Sequence, residues 1–446
     1  MMTPQPQQEA PVVSALTLPR WSLATRIGFR FTFSYFLLWL APGAVGALGL
    51  QERVISTPFR DIWVSMWHQV VPWVGVNVLH LQGNFAEVAN GSGDELYDYV
   101  LILCIFVVAV VVTVIWSVLD RKRGEYRTLY AWLRLLMRMT AGAAMIGYGL
   151  KKVFWSQFPA PPLAKLLDTF GQTSPMGLLW TFMGESRLYS LAGGIGETLG
   201  GVLLFVPRFT ALGAIVSFGM MSNVLLLNLG YDVPRKIYSI HLVLICLFLL
   251  LPDFRRLANV FIFNRRAEPV EEAPLFKDKQ FNIGAVLLQL VFGILVVFLT
   301  GKEAYLDSVK AATHLPPPIR GIWSVEQFTL DGVPHPAMLT DTERWNRIIF
   351  DSPDQLTIQP MDGSLQQYNL KLDPELRSFS VSKLGSAAVE GFFSMSPPQG
   401  DRMTMQGKFD GRPLTINLHR VDLSDPSQFL LINRGYHWVN DSIHNR

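Results

Sequence analysis

The chain has 446 residues, of which 50% are hydrophobic and 16% charged, with a formal net charge of +3 and a mean hydropathy of +0.27. This is too apolar for an ordinary soluble protein, and the long apolar runs identify a multi-pass membrane protein. The small net charge gives no footing for a nucleic-acid partner, and the two cysteines, Cys104 and Cys246, both in apolar segments, exclude a CxxC redox motif or a thiolate metal site.

The first 26 residues are polar and proline-rich, and read as a disordered tail without a signal peptide. A first span is predicted at 27–50. The following segment carries Trp63, Trp67 and Trp73 at near-helical spacing, as expected of an amphipathic helix at a membrane interface, and ends in turn residues at Asn90-Gly-Ser-Gly-Asp94. A second span, Tyr97–Leu119, precedes the basic loop Asp120-Arg-Lys-Arg-Gly-Glu-Tyr-Arg127. Further spans are predicted at Tyr130–Phe154, within Leu191–Phe209 around Glu197, at Ala211–Leu229, at Ile237–Leu251 and, after a charged linker over 267–280, at Phe281–Thr300. Trp155–Ser186 reads as an external loop rich in proline and aromatics.

Seven spans place the two ends on opposite faces. Arg20 and Arg26, the loop after span two, and Arg255, Arg256, Arg265 and Arg266 after span six concentrate positive charge on one side. The positive-inside rule then makes the N-terminus cytoplasmic and the C-terminal region periplasmic, in an inner membrane.

From about residue 316 short alternating segments are punctuated by Asp331-Gly332, Asp362-Gly363 and Asp410-Gly411, which are hairpin-turn signals. Seven or eight strands are predicted, from Gly321–Leu330 to Leu414–Arg420. The expected fold is thus a mainly α membrane bundle of about seven transmembrane helices, followed over 301–446 by an antiparallel β meander that closes into a small barrel.

One carboxylate, Glu197, stands inside the apolar stretch Leu191–Phe209, on a face shared with Gly193, Gly200 and Gly201; Gly196-x-x-x-Gly200 is a close-approach pattern. The span before it carries Arg134, Arg138, Tyr148 and Lys152 on one stripe. Arg138 lies roughly 12 Å from the span's start, a depth that predicts pairing with Glu197, with Arg134 as a second partner. Such a pair is either a structural lock on helix register or a wet site for a headgroup or a proton. His241, alone in its span, reads as a packing residue or as a proton or quinone contact. No His pair at metal-ligand spacing, haem motif or nucleotide loop occurs. In the C-terminal tail His437, Trp438 and Asn440 are candidates for an outside site.

The segments Trp132-Leu-Arg-Leu-Leu-Met-Arg138, Gly147-Tyr-Gly-Leu-Lys-Lys-Val-Phe154 and Gly194-Ile-Gly-Glu-Thr-Leu-Gly-Gly-Val-Leu-Leu-Phe-Val-Pro-Arg-Phe-Thr210 resemble the first two helices of the DoxX-like membrane family. The resemblance covers about 130–266 and implies a four-helix bundle over 129–266. Some DoxX-like proteins are membrane subunits of thiosulfate:quinone oxidoreductases and others accompany thiol-handling proteins. For this chain it implies a component of an envelope redox or quinone-linked system, with quinone as the candidate cofactor, membrane lipid as surroundings and a periplasmic redox or assembly partner. Gly321-Ile-Trp323 resembles the lipocalin opening, in which a tryptophan plugs the barrel base. This makes Trp323 a further candidate outside residue, and sets a lipid-binding or transport role, or a scaffold role, as the alternatives.

Overall fold

The computed structural model describes residues 21–40, 58–82, 93–269, 273–312, 319–373, 377–386 and 388–435. The readings made for the first 20 residues, for the Asn90 turn and for His437, Trp438 and Asn440 lie outside the described residues. Among the described residues the α-helices are α1 (Leu23–Leu40), α2 (Pro58–Asn77), α3 (Leu96–Leu119), α4 (Arg127–Val153), α5 (Pro175–Glu185), α6 (Arg187–Phe205), α7 (Thr210–Gly230), α8 (Lys236–Leu250), α9 (Phe254–Phe261), α10 (Lys279–Ala311) and the short α11 (Leu430–Asn433). Two compact units are formed, one by Met1–Thr140 and Leu249–Gln289, the other by Ala141–Phe248 and Leu290–Arg446.

In the first unit α1 packs on α3 around Arg30, which is 2% exposed. Its guanidinium donates to the Tyr126 hydroxyl (2.7 and 3.0 Å), to Ser117 Oγ (2.8 Å) and to the Asp120 carbonyl (2.9 Å), and Tyr126 donates onward to Asp120 Oδ2 (2.9 Å). A guanidinium survives burial because its fork of donors is satisfied. Helix α2 packs one face on α3. Its Trp67 and Val71 are buried against Val100, Cys104 and Ile105 of α3, leaving Ile62 and Trp73 exposed.

In the second unit glycine brings helices together. A Cβ on Gly149 would stand 2.3 Å from Thr198 Oγ1 and 2.7 Å from the Gly194 carbonyl, and one on Gly201 would stand 2.7 Å from the Gly142 carbonyl. Gly142 and Gly149, two turns apart on α4, therefore meet Gly201 and Gly194, two turns apart on α6, and the helices run antiparallel at backbone contact. The other side of α6 meets α7, where a Cβ on Gly200 would stand 2.7 Å from Ser217 Oγ.

Among the described residues, five helices are long and apolar enough to cross a membrane: Leu96–Leu119, Arg187–Phe205, Pro207–Gly230, Lys236–Phe261 and Lys279–Ala311. The sequence reading of seven is thus not reproduced. The two predicted spans not among them are α1, which carries Arg26 and Arg30, and α4, whose polar stripe lowers its hydropathy. Helix α10 also runs past the predicted end at Thr300 to Ala311, and the expected loop at 155–186 contains α5, capped by Ser174 accepting from Gly177 N at 3.0 Å.

The C-terminal sheet holds β1 (Gly321–Leu330), β2 (Val333–Pro334), β3 (Trp345–Ser352), β4 (Gln355–Pro360), β5 (Gln366–Asp373), β6 (Ser378–Lys383), β7 (Val389–Met395), β8 (Arg402–Phe409) and β9 (Arg412–Arg420). Neighbours pair antiparallel and β1 pairs with β9, so eight strands close a barrel and β2 hangs on β1 as a short hairpin. Asp331-Gly332 and Asp410-Gly411 take positive φ at both positions, the turn whose twist suits a tight hairpin. The interior is filled by side chains, among them Trp323, Ile348, Phe350, Phe379, Phe393 and Met405.

Two glycines on α4 separate close approach from mere flexibility. Gly149→Ala should cost about 1–3 kcal/mol by forcing α4 from α6, while Gly147→Ala, whose Cβ meets nothing within 4 Å, should be neutral or stabilise by up to ~1 kcal/mol. Thermal unfolding of the two variants in the same detergent checks this.

Candidate functional site

The site forms where α4 and α6 touch. Each Cα–Cβ bond leans toward its own helix N-terminus, so on antiparallel neighbours Lys152 leans along α4 toward Tyr148 while Glu197 leans the opposite way along α6. They converge: Lys152 Nζ donates to Glu197 Oε2 at 2.7 Å, with the side chains 8% and 1% exposed. Around them Lys152 Nζ lies 5.7 Å from the Tyr148 ring centre and 5.9 Å from that of Phe158. The Tyr148 and Tyr238 rings are 6.1 Å apart. A cover of Phe158, Leu179, Met183 and Val233 packs together next to the pair. Beside it the Arg187 guanidinium stacks at 3.4 Å over the Trp155 ring.

The expected Arg138–Glu197 pair is corrected. Glu197 stands level with Gly149, which is 11 residues or roughly 16 Å of helix from Arg138. Arg138 instead donates to Gln289 Oε1 on α10, and Arg134 donates to the Leu249 carbonyl at 3.4 Å and lies 3.8 Å from Asp253 Oδ2. On the α4 stripe Arg134, Arg138 and Lys152 are buried and Tyr148 is half-buried, and the stripe serves two polar centres. Arg134 and Arg138 hold the end of α8 and the start of α10, and Lys152 and Tyr148 face Glu197. The arginine on the α8 carbonyl end is favourably placed on the helix dipole.

His241 is 3% exposed, and its Nδ1 donates to the Ile237 carbonyl of its own helix at 2.7 Å. Trp323 is fully buried in the barrel, and its Nε1 donates to the Ile319 carbonyl at 2.9 Å. It is therefore a core plug rather than part of an outside surface. Asp253, Gln289, Tyr238 and Arg235 escaped the sequence reading. Gln289 had a signal, being the one polar side chain between Ile283 and Leu299. Asp253 follows directly on the apolar end of α8.

The chemistry available is that of a desolvated ammonium–carboxylate pair beside two phenols. Removing one partner of such a pair leaves a buried charge and costs about 3–5 kcal/mol, whereas replacing both by apolar groups of similar volume is close to neutral. Lys152→Met and Glu197→Leu should each sharply lower the melting temperature, and the double variant should recover most of it. Unfolding of the purified variants measures the difference.

No family model and no solved structure matches the chain. A 131-residue stretch is 36% identical to the uncharacterized protein YwoB of Bacillus subtilis (strain 168), a match that takes in 29% of this chain and 80% of that protein. Through that stretch the chain belongs to the family of YwoB.

Proposed function

We propose that the protein is a DoxX-like integral membrane component of an envelope redox or quinone-linked system, with the Lys152–Glu197 pair at its working centre. The observation that carries this reading is the pair itself: ionisable groups among membrane helices are costly, and they mark sites of proton or ligand handling. The residues fit a quinone headgroup in kind, since Lys152 and the Tyr148 and Tyr238 hydroxyls can donate hydrogen bonds to its oxygens and Phe158 offers a ring face. A quinone bound there would carry the electrons. Lys152 and Glu197 would orient the headgroup and hold a proton at Glu197 Oε2, with the Phe158 cover excluding water. The barrel holds side chains where a lipocalin holds ligand, which favours the bundle over the barrel as the site of action.

On this reading α1 and α4 also cross the membrane. Arg134 and Arg138 of α4 are buried with partners, so lipid meets its apolar side. The loop after α4 packs on the barrel: Leu163 joins Ile322 and Ile349 in one cluster, and its amide donates to Asp351 Oδ2 at 2.8 Å. Loop and barrel then share a face, as required by the four intervening helices α6, α7, α8 and α10. Arg121, Lys122, Arg123, Arg255 and Arg256 lie in connections an odd number of crossings from the barrel, and their charge supports a cytoplasmic side for them and a periplasmic side for the barrel.

Two measurements test the proposal. Alkaline phosphatase fused at the C-terminus should be active, and green fluorescent protein fused there should be dark; the reverse would overturn the topology. Extraction of gently purified protein should yield bound quinone, and Glu197→Gln should lose it while remaining folded. Absence of quinone from the wild type, or its unchanged retention in Glu197→Gln, would contradict the quinone reading.

A further inference from the structure

The end of α8 presents a surface that the Lys152–Glu197 centre does not use. About 20 residues cross the hydrocarbon core, and counting from Lys236 that length runs out at Arg255–Arg256. A short 3₁₀ turn, Leu251–Asp253, introduces α9, with the Asp253 carboxylate 3.4 Å from Arg256 Nη1. Helix α9 carries Phe254, Leu257 and Phe261 on one stripe, with Arg255 and Arg256 beside it. Phe254, Phe261 and Ile262 are 67%, 79% and 73% exposed. The helix ends as Asn264 takes a left-handed φ of 48° and the Arg265 amide returns to the Asn259 carbonyl at 2.8 Å. The chain is thereby turned so that Arg265 lies 5.7 Å from the Phe263 ring centre, with exposed Arg266 next to it.

We infer that α9 and its C-terminal turn form a binding site for anionic phospholipid headgroups. Its apolar stripe lies at the acyl boundary, and Arg255, Arg256, Arg265 and Arg266 engage phosphate. The charge is complementary, and it is carried by guanidinium, whose planar fork matches phosphate oxygens two at a time. Phenylalanine and isoleucine on the same short segment supply what a free anion does not need, namely side chains that insert beside the headgroup. The site is independent of the redox reading and of which face is cytoplasmic, since it requires only that α8 crosses the membrane.

The test uses the full chain in zwitterionic micelles, titrated with phosphatidylglycerol, phosphatidylcholine or inorganic phosphate, reading lipid retention by native mass spectrometry and the shift in melting temperature. Wild type should retain phosphatidylglycerol and melt higher with it, and respond to neither of the other two. Each arginine removed should weaken retention about fivefold, so Arg265→Gln/Arg266→Gln should lose roughly 25-fold. That pair lies beyond the helix end, so folding is kept, as an unchanged melting temperature without added lipid would show; Arg265→Lys/Arg266→Lys should keep most of the affinity. Equal retention of phosphatidylcholine, or no loss in the Gln pair, would overturn the site. The same stabilisation by inorganic phosphate would overturn lipid as its ligand.

Discussion

Helices α4 and α6 can approach to backbone contact only where neither carries a Cβ, and this steric condition governs the second unit. Gly142 and Gly149 on one helix and Gly201 and Gly194 on the other remove the obstacle at two levels, two turns apart. In lipid, where apolar side chains gain little by leaving the acyl chains, such contact is a main source of helix association. It also decides the electrostatics. Backbones this close leave no room for water between Lys152 and Glu197, so each charge must be satisfied by the other at 2.7 Å. In that environment the Coulomb attraction is several times stronger than at a surface, while each ion alone would be expensive. Packing and charge are therefore one constraint, since loosening the glycine contact would hydrate the pair and removing one partner would leave a charge at the tightest contact.

Along α4 the polar stripe is divided between two tasks that helical periodicity alone does not distinguish. Arg134 and Arg138 reach backbone and side-chain oxygens at the end of α8 and on α10, an arrangement that fixes where helices begin and end. Lys152 faces a carboxylate flanked by phenols and an apolar cover. The first set resembles the Arg30–Tyr126–Asp120 network that fastens α1 to α3, in which the guanidinium is spent on structure. The second set differs in kind. Its members change charge by gaining or losing one proton, which a guanidinium does not do in a protein.

How much of this was legible depends on how local the cause is. The barrel strands follow from alternation and from Asp-Gly turns, both local, and β1 falls at the predicted Gly321–Leu330. Gly200 and Glu197 were legible as residues needing a close neighbour, because a glycine or a carboxylate in an apolar helix costs stability unless another helix packs against it or pairs with it. The partner of Glu197 was not legible. Depth counted from helix ends assumes that both helices begin at the same membrane level, yet α6 spends ten residues from Arg187 before reaching Glu197. The offset is set by Gly149 meeting Thr198, a tertiary fact. The five apolar helices among the described residues leave out α4 for a related reason: hydropathy scores a buried, partnered arginine as though it faced lipid. Trp323 was legible in part, since the Gly-x-Trp resemblance gave it the place of a barrel plug, and closure of β1 on β9 encloses it.

The pairing of Lys152 with Glu197 is the point on which the bundle, its glycine contact and its proposed chemistry all rest, and a distance measured in a bilayer addresses it directly. Protein labelled with ¹⁵N at lysine side chains and ¹³C at glutamate carboxyls, compared with a Lys152→Arg control that removes one label, can be examined by dipolar-recoupling solid-state NMR in lipid. A strong short-range coupling that vanishes in the control would match the 2.7 Å contact between Nζ and Oε2. A Glu197 carboxyl coupled instead to an arginine-labelled guanidinium, or to no labelled nitrogen, would contradict it.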